Sequence, residues 1–229
     1  MLKNMSNQDF RTKAYVLRRT NYGEADRILN LLTEQGKLSA IAKSVRKEKS
    51  KLAGNIEMFC LIDLNIHKGR GELGIITSAK MLKYHHNLVT DFNRMELATM
   101  ILKKISKASE NSDSPDFFPV LDQALTALND LMNPAIVETW FLFALVRACG
   151  EEINLYRDTS GEKLSPDKHY VWDSIEAGLA ENPQGNIGAD EIKIMRLMFT
   201  SKLSIVSKIK GLDEKIPAIL YIAKAINKL

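Results

Sequence analysis

Between Ala42 and Leu52 the chain reads AKSVRKEKSKL, and five cations, Lys43, Arg46, Lys47, Lys49 and Lys51, stand against one acid, Glu48. Like charges at this density repel one another unless water or a polyanion screens them. The chemistry open to such a run is phosphate neutralisation, which releases the counterions that nucleic-acid phosphates hold. A solvated turn is the plain alternative. Arg18, Arg19, Arg27 and Lys37 lie close by, on or at the ends of segments with strand character, and extend the same basic surface. Tyr15, Tyr22 and Phe59 lie among them, and a ring that stacks a base contributes roughly 1–3 kcal/mol. Tyr15 and Phe59 also suit an apolar core, the preferred reading for Phe59.

Other chemistry finds less support. Gly69, Gly71 and Gly74 spell GxGxxG, but strand-like sequence flanks both sides. A dinucleotide site needs a helix to follow, so that its N-terminus meets the pyrophosphate. A hairpin is the better reading, with Arg70 at its tip adding a phosphate contact. There is no GxxxxGK[ST] sequence. His67 falls on the polar side of a strand, His85 and His86 are adjacent, and His169 stands apart, so each reads as a surface or hinge histidine rather than a ligand. Glu24 and Asp26 precede Arg27 after Tyr22-Gly23, which suits a turn and an ion pair better than an acid/base pair. Cys60 and Cys149 form no CxxC pair and supply neither a disulfide framework nor a four-ligand zinc site. No catalytic constellation, metal site or cofactor is expected, and the chain does not read as an enzyme.

The elements that must position the cations read as β over residues 11–82. Ala14–Arg19, Arg27–Thr33, Lys37–Lys43, Phe59–His67 and Leu73–Ala79 are five short strands, with a turn at Glu34-Gln35-Gly36. Ile62, Leu64 and Ile66 point one way and Asp63, Asn65 and His67 the other. In the same way Leu38, Ala40 and Ala42 oppose Lys37, Ser39, Ile41 and Lys43. Five short strands call for a closed barrel, which removes exposed edges, and an OB-type barrel fits the count. After Leu82 the period becomes helical: Phe92–Ser106, Phe118–Met132, Pro134–Cys149, Ala189–Lys202 and Pro217–Leu229. PAIVETWFLFALVRAC is apolar almost all round, the mark of a central helix. The expected class is therefore α+β: a small five-stranded OB-type barrel in residues 1–82, then an all-α helical domain in 83–229 with a loop-rich insert at 150–188.

Charge follows the same division. Residues 1–83 hold 16 Lys and Arg against 8 Asp and Glu, whereas 84–229 hold 16 against 20. A basic front on an acidic back suits one part for nucleic acid and the other for structure or protein partners. The polar start MLKNMSNQDFRTK lacks the apolar stretch of a signal peptide, and no apolar run reaches membrane-spanning length. A cytoplasmic protein without membrane attachment is expected.

Several motifs occur together in order: Tyr22-Gly23-Glu24-Ala25-Asp26-Arg27-Ile28, Thr33-x-x-Gly36-Lys37, Ala42-Lys43-x-Val45-Arg46-Lys47-x-Lys49-Ser50 and Lys68-Gly69-x-Gly71-Glu72-Leu73. Over residues 11–82 they closely resemble the bacterial RecO recombination-mediator family; the helical remainder matches in layout. The resemblance implies an OB domain followed by a helical domain and a nucleoid-associated place of work. It also implies binding to single- and double-stranded DNA, annealing of complementary strands, and partnership with RecR and the single-stranded-DNA-binding protein in loading RecA. Ser44 stands where the family often has glycine. Many members carry four zinc-binding cysteines after the central helix; segment 150–188 has none, so no zinc is expected and Tyr170 and Trp172 are the expected packing anchors. The acidic, apolar-tipped tail of the single-stranded-DNA-binding protein, also implied by the family, suits a groove edged by Arg147, Arg196 and Lys202, whose plain alternative is surface ion pairing. The runner-up function is an RNA-binding OB-fold protein; a hydrolase with an unrecognised site is a third.

Overall fold

In the computed structural model, which describes residues 8–68 and 73–227, the alternating apolar residues of the first third line a closed barrel. Its strands are β1 (Gln8–Tyr22), β2 (Asp26–Thr33), β3 (Gly36–Ala42), β4 (Cys60–Lys68) and β5 (Gly74–Tyr84). Their order around the barrel is β1-β2-β3-β5-β4, with β4 returning antiparallel to β1. β3 and β5 close the barrel in parallel at Ala40↔Gly74 and Ile41↔Ile75. Inside pack Ala14, Val16, Leu29, Leu31, Ala40, Ile62, Leu64, Ile66 and Ile76. Gly74 belongs to this closure: a Cβ there would come within 2.6 Å of the Ile66 methyl. β4 and β5 flank residues 69–72, so no helix follows the glycines; Gly69, Arg70 and Gly71 lie outside the described residues.

β1 is far longer than Ala14–Arg19, and a register shift between Val16 and Arg18 bends it. The bulge matters because it changes which residues face outward. Short helix α1 (Asn87–Thr90) leads to α2 (Phe92–Asn111) and α3 (Phe117–Asn129), and α2 lies on β1 while α3 lies on β2. Under them, on the outer face of the sheet, Tyr15 and its cross-strand partner Leu32 are fully buried. The Tyr15 hydroxyl donates to Asp122 Oδ1 at 2.7 Å and meets His85 Nε2 at 3.2 Å, and its ring tilts against Phe118. Burial, reinforced by the Asp122 carboxylate, raises the phenol's pKa and holds it protonated. Tyr15 is thus neither barrel core nor a base-stacking ring. His85, expected at a surface or hinge, is buried beside it. The change of period near Leu82 marks the end of β5, yet compactness divides the chain at Met1–Asn129 and Asp130–Leu229, because these contacts draw the first three helices onto the barrel.

The second unit is built on α4 (Pro134–Ala148), in which 11 of 15 residues are buried, as its all-round apolar character requires. Asn133 caps it and Pro134 takes its first turn. α5 (Ala189–Thr200), α6 (Leu203–Val206) and α7 (Leu212–Ile226) pack around it, and Trp140 Nε1 donates to the Ser201 carbonyl at 2.9 Å. Within 150–188 stands a hairpin that the sequence reading missed, β6 (Tyr170–Asp173) with β7 (Gly178–Glu181). Tyr170 anchors it: the side chain is buried, its hydroxyl accepts from Ser165 N–H, and its backbone pairs with Ile187. Trp172 is only half-buried. Asp158 ties the preceding turn, accepting from Ser160 Oγ and from the amides of Ser160 and Glu162. Among the described residues no helix is long and apolar enough to cross a membrane, and no three His, Cys, Asp or Glu side chains converge as metal ligands. Cys60 is buried, which pushes its thiol up to about 11, and Cys149 is half-buried.

Two outcomes follow. Tyr15→Phe leaves Asp122 and His85 without the hydroxyl and lowers stability by about 2 kcal/mol, as a lost hydrogen bond to a charged group does; denaturant unfolding reads this. The hydroxyl of Ser160 and the two amides hold the Asp158 carboxyl below its ordinary range. The stability it lends is therefore present above a pH of about 4 and lost as pH falls through the lowered value. Amide exchange over 158–163 should quicken in acid in the native chain and be fast at neutral pH in Asp158→Ala.

Candidate nucleic-acid interface

The link between β3 and β4, residues 43–59, is a plug. Val45 and Ile56 enter the barrel mouth and are buried with the core, while Leu52, Ala53 and Met58 pack against it. A barrel interior cannot take an unpaired ammonium, so the interleaved Lys43, Arg46, Lys47, Lys49 and Lys51 turn outward, and all five are exposed. The loop is also fastened to the β1–β2 turn. Arg46 N–H donates to Ala25 O at 2.8 Å, Arg46 Nη1 to Gly23 O at 3.2 Å, and Ser44 N–H to Asp26 Oδ1 at 2.6 Å. Asp26 therefore anchors the loop, and Arg27 bonds Asn21 Oδ1 at 3.3 Å rather than pairing with an acid. Ser44 sits at φ 52°, the left-handed region where glycine costs nothing.

Register sorts the remaining candidates by face. On the outer surface Arg18, Asn30 and Ser39 form one row across β1, β2 and β3; Thr20, Ile28 and Ile41 form the next, and Tyr22 lies opposite Asp26 beyond it. Rows lie about 7 Å apart, two residues along a strand. Arg18 and Thr20 are exposed, Tyr22 is 55% exposed, and Ile28, Asn30, Ser39 and Ile41 are half-buried. Lys43 leaves the end of β3 beside this face. The result is a flat, mixed surface with Arg18 at one side, Lys43 at the other and an accessible ring at one corner. It can hold phosphates at its rim and bases over its isoleucines. Among the described residues the side chains of Arg18, Lys43, Lys47, Lys49 and Lys51 make no hydrogen bond or ion pair.

Three expected residues stand elsewhere. Arg19 pairs with Leu29 and Arg27 with Asn21 on the inward-facing side of the hairpin, at the mouth of the barrel, and Arg19 is held by Glu57. Lys37 is pinned by α2: its ammonium donates to Ser106 O at 3.0 Å and lies 3.4 Å from Glu110. Its outward parity was legible, but not the helix that covers it. Arg70 lies outside the described residues. Phe59 is buried, as expected, and Tyr22 is the one ring of the three that a base can reach.

The family model described as "Recombination protein O N terminal" matches residues 5–85, the barrel to the end of β5. A "DNA repair protein RecO" of Dehalococcoides mccartyi strain CBDB1 is 27% identical over 223 residues, covering 88% of this chain and 83% of the relative. Another of the same description, from Roseiflexus sp. strain RS-1, is 33% identical over 181 residues, 71% of this chain and 63% of the relative. Over its barrel the chain matches the RecO family, and along most of its length it is similar to RecO relatives. The family match ends where the helices begin, so the barrel and its plug carry the RecO character most strongly, and the similarity to whole relatives carries it through the rest. A part in DNA repair follows.

In the helical unit the three residues expected to edge a peptide groove do not act together. Arg147 Nη1 donates to Phe199 O at 2.7 Å at the end of α5. Arg196 gives two hydrogen bonds to Leu155 O, at 2.9 and 2.7 Å, and stacks on the Tyr156 ring at 4.4 Å. Both are fixed on backbone carbonyls, not in surface ion pairs. Arg196 borders a cleft of about 520 Å³ with Glu152, Leu155, Tyr156 and Phe199, so basic and apolar groups do meet there. Lys202 caps α6, its carbonyl accepting from the amides of Ile205 and Val206, and among the described residues its exposed ammonium makes no hydrogen bond or ion pair.

Asp26→Ala removes the acceptor of the Ser44 amide. Hydrogen exchange over residues 43–50 should quicken while the barrel strands keep their protection, and affinity for single strands should fall because the cations are no longer held in place.

Proposed function

We propose that this chain is a non-enzymatic DNA mediator that binds single- and double-stranded DNA, anneals complementary strands and, with RecR and the single-stranded-DNA-binding protein, helps load RecA. The observation that carries this reading is the plug, in which Val45 and Ile56 are buried on either side of Arg46, Lys47, Lys49 and Lys51, and these four cations and Lys43 stay on the outside of the barrel. Phosphates neutralised there leave the bases of a bound strand free to pair, and the same cations screen the repulsion that a second strand meets. The recognition has no dense array of side-chain amides to read base edges, which favours binding with little sequence preference. RecR, the protein tail and work at the nucleoid are implications of the family resemblance. For the tail, the cleft beside Arg196 offers an apolar floor, and the bound guanidinium still presents its charge there.

The test is a Lys43/Arg46/Lys47/Lys49→Ala chain measured by fluorescence anisotropy on single-stranded oligonucleotides and by strand annealing. Circular dichroism should be unchanged, affinity should fall by at least about tenfold from the loss of several phosphate contacts, and annealing should slow in step. Unchanged affinity at moderate salt removes the loop from the function. Matched RNA binding more tightly than DNA replaces this reading with an RNA-binding one.

A further inference from the structure

A trough of about 740 Å³ runs between the β1 bulge and α2, with Leu17, Met58 and Leu102 along its floor and Arg18, Lys103 and Lys107 along its rim. Lys103 and Lys107 are exposed, and among the described residues neither ammonium makes a hydrogen bond or ion pair. Four residues apart on one helix, they share a face and stand about 6 Å from each other along the axis. Two like charges so placed weaken a helix unless an anion lies between or above them. The nearby carboxylates do not fill that role: Glu110 leans toward Lys37 and Glu57 holds Arg19. Arg18 joins this rim to the outer row of Asn30 and Ser39 on the sheet.

We propose that the trough is a second nucleic-acid contact, in which a single DNA strand leaving the outer face of β1–β3 continues past Arg18 and sets successive phosphates on Lys103 and Lys107, with a base against Leu17, Met58 and Leu102. This rests on the DNA-binding reading above and extends it from the barrel onto the first long helix. It gives the bound strand a direction, from the plug to α2. It also makes α2, which packs on β1, part of the binding surface rather than only a support.

The experiment compares the full chain with Lys103→Ala/Lys107→Ala and with the plug variant, by anisotropy over a salt series and by acylation of lysines with and without oligonucleotide. With circular dichroism unchanged, the log–log salt slope of the double variant should be shallower by about 1.4, from two lost single-strand phosphate contacts. In the native chain a bound oligonucleotide should protect Lys103 and Lys107 from acylation. An unchanged slope and equal labelling, with binding lost in the plug variant, overturn the trough and leave the DNA reading standing. Full binding in both variants overturns the trough and the plug alike as DNA contacts, and no binding by the full chain even at low salt overturns the DNA reading itself. Protection by an acidic peptide but not by the oligonucleotide overturns the trough as a DNA contact and assigns it to a protein partner.

Discussion

Charge does not enter the barrel. A small closed sheet has an apolar interior with no room to solvate an ammonium, and its mouth must still be covered. The plug meets both demands by alternating kinds of residue: Val45 and Ile56 go in, and the cations between them are driven out. The basic surface is therefore a by-product of the same burial that completes the core. A change that empties the mouth should also scatter the charges. The fastening of Ser44 and Arg46 to the β1–β2 turn adds position to this outward bias, so that the cations sit beside the outer sheet face rather than anywhere on a long loop.

A second constraint decides which part of the barrel remains available. Tyr15 and Leu32 occupy outward positions on β1 and β2, and two helices must cover them. That cover takes Lys37 with it and leaves the rows from Arg18 to Tyr22 open. The bulge between Val16 and Arg18 lies at the border between the covered and uncovered parts of the strand. Beyond it β1 and β2 continue as a hairpin on whose inward side Leu29 is followed by Arg19, Asn21 and Arg27. One strand thus serves as core, as helix platform and as rim of the candidate interface.

Much of this was legible along the chain because local pattern controls it. Ile62, Leu64 and Ile66 alternate cleanly and are buried; Ala40 and Ala42 likewise; and α4 is apolar all round because it is surrounded. Ser44, where the resemblance implies a glycine, adopts a positive φ. What was not legible depends on distant partners. Nothing near Tyr15 or Lys37 in sequence announces Asp122, Phe118 or Ser106: Asp122 lies 107 residues beyond Tyr15, with Phe118 on the same helix, and Ser106 lies 69 residues beyond Lys37. Arg147 and Arg196 carry the charge expected of a binding groove, but their hydrogen bonds go to carbonyls 52 and 41 residues away. The β6–β7 hairpin has strands of four residues, too short for alternation to stand out from a loop.

The most direct test of the account is the salt dependence of single-strand affinity for the intact chain. If about 4–6 phosphates rest on the outward cations, the logarithm of the association constant should fall against the logarithm of salt concentration with a slope of roughly −3 to −4. A slope near zero, with binding intact, would mean that the strand is held without its phosphates, and the plug would then be a cover for the barrel and nothing more.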